Sequence, residues 1–236
     1  MIESVVLAGG LGTRLRGVVP NRPKPMAAVA GRPFLEILLT TLARKQCGRV
    51  VLSLGYKAEM VVDHFGDRFA GMELVYEIER TPLGTGGALR CALAQCRSDP
   101  VFVLNGDTYL DLEVGKVEAQ WQRHRLPIIV ARNVPDTARY GQLDTAGDRV
   151  VGFLERGIAG SGLINAGCYV VPRAIASEFP NDDAFSLEHD FLAEAVRRLP
   201  FRLFISQGYF IDIGVPEDYA RAQMELAGTG SEFTGR

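Results

Sequence analysis

The chain is short of the residues that build metal centres, covalent nucleophile sets and membrane spans. It has three histidines and four cysteines (Cys47, Cys91, Cys96 and Cys168), with no Cys-x-x-Cys pair. That scarcity argues against a zinc site. No apolar run reaches the roughly 18 residues of a spanning helix, and the first residues run straight into a strand with no basic, leader-like segment. The expected setting is therefore the cytoplasm, with reduced thiols and no membrane partner. Charge is equally sparse in excess: the net value is −2, which gives no handle for nucleic acid or an anionic surface. Internal repeats and an interdomain linker are also missing.

What is present is an ordinary globular composition, 47% apolar and 23% charged, over 236 residues. That length suits one domain, residues 1–227, followed by a Gly/Ser/Thr-rich tail, 228–236, expected to be frayed.

Val5-Val6-Leu7-Ala8 is an apolar, β-branched run that breaks into Gly9-Gly10-Leu11-Gly12-Thr13-Arg14. A buried strand that stops at glycines is how an open α/β sheet offers backbone N–H groups to a phosphate. Arg14 adds a fork of donors suited to phosphate oxygens. Two familiar fingerprints are incomplete here. A P-loop needs Gly-Lys-Ser/Thr, and no lysine follows until Lys24; a dinucleotide loop needs a third glycine where Leu15 stands. A simple glycine turn stays open as the alternative.

Pro23-Lys24-Pro25 is a stiff frame around one ammonium, either a phosphate contact or a rigid surface connector. Pro33 opens a helix with Leu35, Leu38, Leu39 and Leu42 on one face. Strands at 49–55 and 73–79 flank a helix at 58–65, and a second glycine loop, Gly84-Thr85-Gly86-Gly87, leads into a helix at 88–94. Strand 101–104 ends in Asn105-Gly106-Asp107, which suits an Asx turn and a metal ligand equally. Strands then follow at 128–134, in short pieces through 148–155, and at 164–171. Gly141, Gly167 and the polar groups between them suggest a sugar-facing half, and Arg156 suits either a second phosphate or a solvated pair with Glu155 at a hairpin end. A helix is expected from Ser186, with Leu187, Phe191, Ala195 and Leu199 four apart, then a strand at 201–206 and a closing helix at 217–226. Asp212 sits among bulky apolar residues and wants a cation or donors. Strands alternating with helices predict an α/β fold: a doubly wound, mostly parallel sheet with helices on both faces.

The ordered set Gly9–Leu15, Pro23–Pro25, Leu83–Ala88, Asn105–Asp107, Glu155-Arg156, Asn165–Gly167 and Ile211–Gly214 resembles the sugar-1-phosphate nucleotidyltransferases, the NDP-sugar pyrophosphorylases, over about residues 3 to 225. The resemblance implies a Rossmann-like nucleotide-diphospho-sugar transferase fold with a small β-rich, sugar-binding annex. It implies that Leu7, Ala8, Gly9, Gly10, Gly12, Thr13, Arg14, Thr85, Gly86, Asn105 and Gly106 bind a nucleoside triphosphate, with Gly84–Gly87 against base and ribose. Arg14, Lys24 and Asp107 would be catalytic, and Asp107 and Asp212 would hold Mg²⁺. Tyr140, Gly141, Glu155, Arg156, Asn165 and Gly167 would meet the sugar 1-phosphate. Relatives often carry Glu-Lys where this chain has Glu155-Arg156.

Within that family the short chain, without a C-terminal β-helix, looks most like the branch that uses GTP and a heptose 1-phosphate. The alternatives are uridylyl or thymidylyl transfer to a hexose or N-acetylmuramic acid 1-phosphate, or a relative that binds nucleotide or sugar without turnover. Relatives often form homodimers, and no zipper pattern in this chain bears on that. The expected chemistry needs no general base, because a phosphate monoester has a second pKa of about 6 and attacks already ionised.

Overall fold

The computed structural model describes residues 2–10, 12–15, 17–154 and 160–228. In chain order the strands and helices are β1 (Ile2–Ala8), β2 (Ala28–Val29), β3 (Arg32–Pro33), α1 (Phe34–Arg44), β4 (Cys47–Leu54), α2 (Ala58–Phe65), β5 (Arg68–Phe69) and β6 (Met72–Ile78). There follow α3 (Gly84–Gln95), β7 (Val101–Asn105), β8 (Thr108–Leu110), α4 (Val114–His124), β9 (Ile128–Val134), β10 (Gln142–Ala146), β11 (Arg149–Leu154) and β12 (Gly162–Val171). A π-helical turn, Leu187–Leu192, runs into α5 (Ala193–Arg198), and β13 (Arg202–Ser206), β14 (Phe210–Asp212) and α6 (Pro216–Glu225) close the fold.

Among the described residues one ten-stranded sheet has the order β10-β11-β13-β9-β12-β7-β1-β4-β6-β5. β1 pairs in parallel with β4 on one side and β7 on the other, and β4 pairs in parallel with β6. β12 enters antiparallel between β7 and β9, and β13 returns parallel to β9. The β-rich half is thus an extension of the same sheet, which is doubly wound and mixed.

The sheet is sandwiched because alternate residues of each strand serve opposite cores. Val6, Leu52, Phe102 and Leu104 pack with α1, α2 and α4. Val5, Val51, Val101 and Val103 pack with α3 and the 187–196 segment. A third cluster joins the outer side of α1, through Phe34, Ile37 and Leu38, to Tyr109, Ile211 and Ala222. The leucine stripe expected on α1 is therefore split: Leu35, Leu39 and Leu42 face the sheet, and Leu38 faces α6 and β14.

Two further expectations change. The helix after the second glycine loop begins at Gly84 rather than at residue 88, so that loop is the helix's first turn. The four-residue spacing from Leu187 reads as an α-helix, but its first part is π-helical. Helix α4 went unforeseen, since only Val117 and Trp121 of its residues are buried and no side chain caps it. No helix among the described residues is long and apolar enough to cross a membrane.

Candidate active site

The carboxyl ends of the parallel strands form the base of a cleft, where ligands collect in open α/β sheets. β1 and β7 are neighbours whose connections leave in opposite directions, and Leu7 pairs with Asn105 at that divide. The chain turns tightly after β7: the Gly106 N–H donates to the Leu7 carbonyl at 2.8 Å. A Cβ at Gly106 would stand 2.8 Å from the Leu7 oxygen, so only glycine allows the approach. The Glu79 N–H likewise donates to the Leu54 carbonyl at 2.8 Å, which brings the end of β6 to the end of β4.

Two cavities open on this edge. The first, of about 510 Å³, is lined by Leu7 and Ala8 of β1, Gly9 and Gly10 after it, Gly55 and Tyr56 after β4, Glu79–Pro82 after β6, and Gly84, Thr85 and Ala88 of α3. Lys24, Pro25, Asn105, Gly106 and Asp107 complete it. The second, of about 590 Å³, is bounded by Arg14, Tyr140, Gly141, Asn165 and Gly167, by Glu188 and His189 of the π turn, and by Asp212 and Gly214. Thr85, Asn105 and Asp107 line both, so the cavities meet at Asp107.

At that meeting point Lys24 Nζ donates to Asp107 Oδ2 at 2.5 Å. Short-range geometry sets Lys24 there: it opens a single 3₁₀ turn, Lys24–Met26, and the Ala27 N–H returns to its carbonyl at 3.0 Å. Asp212 arrives through β14, which pairs antiparallel with β8 and places Asp212 opposite Thr108. The Ile213 N–H then donates to the Asp107 carbonyl at 2.9 Å, and the Gly214 N–H donates to Asp212 Oδ1 at 2.5 Å. A Cβ at Gly214 would lie 3.3 Å from Lys24 Nζ, so the lysine and both aspartates share one small volume. Burial pushes the Asp212 carboxyl up to about 6; the neighbouring Asp107 adds to the push, and Lys24 opposes it.

A model of the nucleotidyl transferase family matches residues 3–229. The chain belongs to that family. D-glycero-alpha-D-manno-heptose 1-phosphate guanylyltransferase of Aneurinibacillus thermoaerophilus is 39% identical over 226 residues, spanning 95% of this chain and 98% of that protein. The enzyme of the same name from Campylobacter jejuni is 38% identical over 92% of this chain and 97% of its own. The crystal structure of HddC from Yersinia pseudotuberculosis complexed with GMP-PN superposes with a TM-score of 0.84 at 38% identity, covering 94% of this chain and 98% of that one.

Of the positions expected from the motifs of this nucleotidyl transferase, Leu7, Ala8, Gly9, Gly10, Lys24, Thr85, Asn105, Gly106 and Asp107 surround the first cavity. Tyr140, Gly141, Asn165, Gly167 and Asp212 surround the second, and so does Arg14, which lies on the second cavity's wall rather than the first's. Gly12, Thr13 and Gly86 line neither. Gly12 packs on Lys24, its missing Cβ 3.2 Å from that of the lysine, and Gly86 packs under the Phe185 ring. Glu155 and Arg156 lie outside the described residues.

Several lining residues of this nucleotidyl transferase escaped the sequence reading: Glu79, Arg139, Tyr169, Glu188 and His189. Glu79 carried a weak signal, standing just after a strand that ends on the same sheet edge as the glycine loop. The others carried none, since they reach the cavity from β12, the π turn and a connecting loop.

Proposed function

We propose that this protein transfers the guanylyl group of GTP to a heptose 1-phosphate, giving a GDP-heptose and pyrophosphate. The observation that carries this reading is the meeting of two cavities, each large enough for one substrate, at the Lys24–Asp107 pair. The two similar heptose 1-phosphate guanylyltransferases, matched along nearly their whole length, support the choice of substrates. Guanine is supported by chemistry as well. Its N1–H and N2–H₂ edge needs acceptors, and the half-buried Glu79 carboxylate on the first cavity's wall supplies them. Glu79 is held in place by the Leu83 N–H, which donates to its Oε2 at 3.0 Å.

In this reading an ionised oxygen of the sugar phosphate attacks the α-phosphorus. The new O–P bond forms as the bond from the α-phosphorus to the bridging oxygen of the pyrophosphate breaks. No proton has to leave the nucleophile, so the Lys24, Asp107 and Asp212 side chains gathered there need not include a general base. The difficulty is the approach of two polyanions, and Lys24, Arg14 and the backbone N–H groups after β1 would supply the opposing charge. A divalent cation fits the remaining donors. Mg²⁺ takes one or two carboxylates together with substrate phosphates, and Asp107 and Asp212 are two carboxylates in one small volume, where burial first and the Asp107 charge second push the Asp212 carboxyl up to about 6. Asp107 and Asp212 would hold it, and once bound it would offset phosphate charge at the α-phosphorus.

All four cysteines are free, three of them buried, which suits the reducing cytoplasm.

Pyrophosphate release from a panel of four nucleoside triphosphates against several sugar 1-phosphates tests the proposal. GTP with the heptose 1-phosphate is expected to lead; preference for UTP with a hexose phosphate, or no turnover at all, would overturn it. Inosine triphosphate, which lacks the N2 amino group, sharpens the test of Glu79. The wild type should prefer GTP over it by about 10- to 100-fold, and Glu79→Gln should narrow that gap.

A further inference from the structure

Glu188 opens onto the second cavity from the π-helical turn 187–192, a rare geometry that favours functional sites. Ser186 caps the turn, accepting the His189 N–H on its Oγ at 3.2 Å. The Leu187 N–H donates to Thr85 Oγ1 at 2.9 Å, which ties the turn to the first cavity.

Its carboxylate is half committed. Oε1 accepts from Tyr169 OH at 3.0 Å and from Asn165 Nδ2 at 3.1 Å. Asn165 Nδ2 also donates to Tyr169 OH at 2.7 Å, so the three side chains close a triangle. The Asn165 oxygen meanwhile accepts the Gly167 N–H at 3.1 Å. Both amide hydrogens of Asn165 are therefore spent inside the protein, although the motif made it a sugar contact. Tyr169 is 2% exposed, and burial together with the Glu188 charge keeps its phenol protonated as a donor. Glu188 Oε2 has no hydrogen-bond or ion-pair partner among the described residues, and it is not shut away from the cavity.

We propose that Glu188 Oε2 is the acceptor for a hydroxyl of the sugar 1-phosphate, held in register by Asn165 and Tyr169. This rests on the reading of the second cavity as the sugar-phosphate side. A carboxylate repels the phosphate and attracts O–H groups, so Glu188 meets the uncharged end of the acceptor. The apolar residues that line the same cavity, Phe153, Leu154 and Phe210, compete for no proton. Glu188 therefore discriminates among sugars that share the 1-phosphate and differ in their hydroxyls.

Steady-state kinetics and calorimetric binding of the best acceptor, with singly deoxygenated analogues, test this on wild type, Glu188→Gln and Glu188→Ala. Both variants should raise KM for the sugar 1-phosphate by about 10- to 100-fold, Ala more than Gln, and leave KM for GTP unchanged. One deoxy analogue, lacking the hydroxyl that Glu188 accepts, should bind wild type and variants alike. Tyr169→Phe, which keeps the carboxylate and loses one of its anchors, should show the same KM pattern at smaller size. Sugar KM and the deoxy pattern unmoved in the Glu188 variants would overturn the proposal while wild-type turnover stood. Loss that falls equally on GTP and sugar, or a variant that melts early, would assign Glu188 to structure and overturn it too. A wild type that binds none of the sugar phosphates would remove the functional reading itself.

Discussion

Lys24 Nζ and Asp107 Oδ2 are 2.5 Å apart where the two cavities join. The lysine is 12% exposed and the aspartate 33%, so the pair is sheltered yet open to substrate. If Asp107 is to hold a cation, the ammonium beside it has to turn toward phosphate when the nucleotide enters.

Lys24→Met should therefore lower turnover by about 10²- to 10³-fold, the usual loss for one donor acting in the transition state. With no nucleotide present, the same variant should bind Mn²⁺ more tightly than wild type, because the competing ammonium has gone. Electron paramagnetic resonance of free Mn²⁺ measures this, and equal affinity would show that Lys24 does not compete. Asp107→Ala should abolish both turnover and Mn²⁺ binding.

Asp212 holds its proton up to about pH 6 rather than the ordinary 3.8. The folded state binds that proton more tightly than the unfolded state, so stability falls as pH rises between those values. Asp212→Asn should then stabilise the metal-free protein above pH 6, by about 1–3 kcal/mol. The gain should vanish below about pH 4. Urea unfolding in chelator at pH 4 and pH 8 reads the difference, while pyrophosphate release from the same variant should be nearly lost. A variant no more stable than wild type at pH 8 would contradict the cost of burying the Asp212 charge beside Asp107.

Glu3 is the opposite case. Burial alone would raise its carboxyl, but the Ser98 and Arg97 amides and the Arg49 guanidinium more than offset this and hold it below the usual range. Those N–H groups donate to Glu3 Oε2 at 2.6 and 2.7 Å, and the carboxylate is 2% exposed. Its contribution is present at neutral pH and lost as pH falls through the lowered value, below 4.5. Glu3→Gln should cost about 3 kcal/mol at pH 7, since it leaves Arg49 buried with half its charge unmet. The cost should shrink toward pH 3 in thermal melts, and a cost constant with pH would refute the ionic account.

Gly84 begins α3 at φ +67°, and a Cβ there would stand 2.4 Å from the Phe185 carbonyl oxygen. Gly84→Ala should lose about 2 kcal/mol or more, read by chemical denaturation. It should also raise KM for GTP, because Thr85, the next residue, lines both cavities. An alanine variant as stable as wild type would mean that the 183–185 segment yields easily.

Much of the architecture is legible without coordinates because its signals are local. The helix at Ala58–Phe65 falls where the apolar pattern places it, since Ala58, Val61 and Phe65 are buried at the helical period, and the strand at Ile128–Val134 is marked by a continuous apolar run whose first four residues are all buried. The glycines after β1 and the Asn-Gly-Asp after β7 announce a sheet edge by residue type alone. Helix α4 announces nothing: two buried residues four apart leave its pattern almost wholly polar.

Chain order and residue type determined the βαβ framework, the glycine loops at the sheet edge and the family to which the chain belongs. Only the tertiary structure decided that Asp212 meets Asp107, because that contact is made by β14 pairing with β8 across about a hundred residues. It alone brought Glu79 and Glu188 to the cavity walls, turned Gly84 and Gly86 toward Phe185, and closed Asn165 into a triangle with Tyr169 and Glu188. The reason is physical. Backbone preference and hydrophobic period are properties of neighbouring residues, whereas the orientation of a polar side chain is set by whichever distant donors and acceptors packing places beside it.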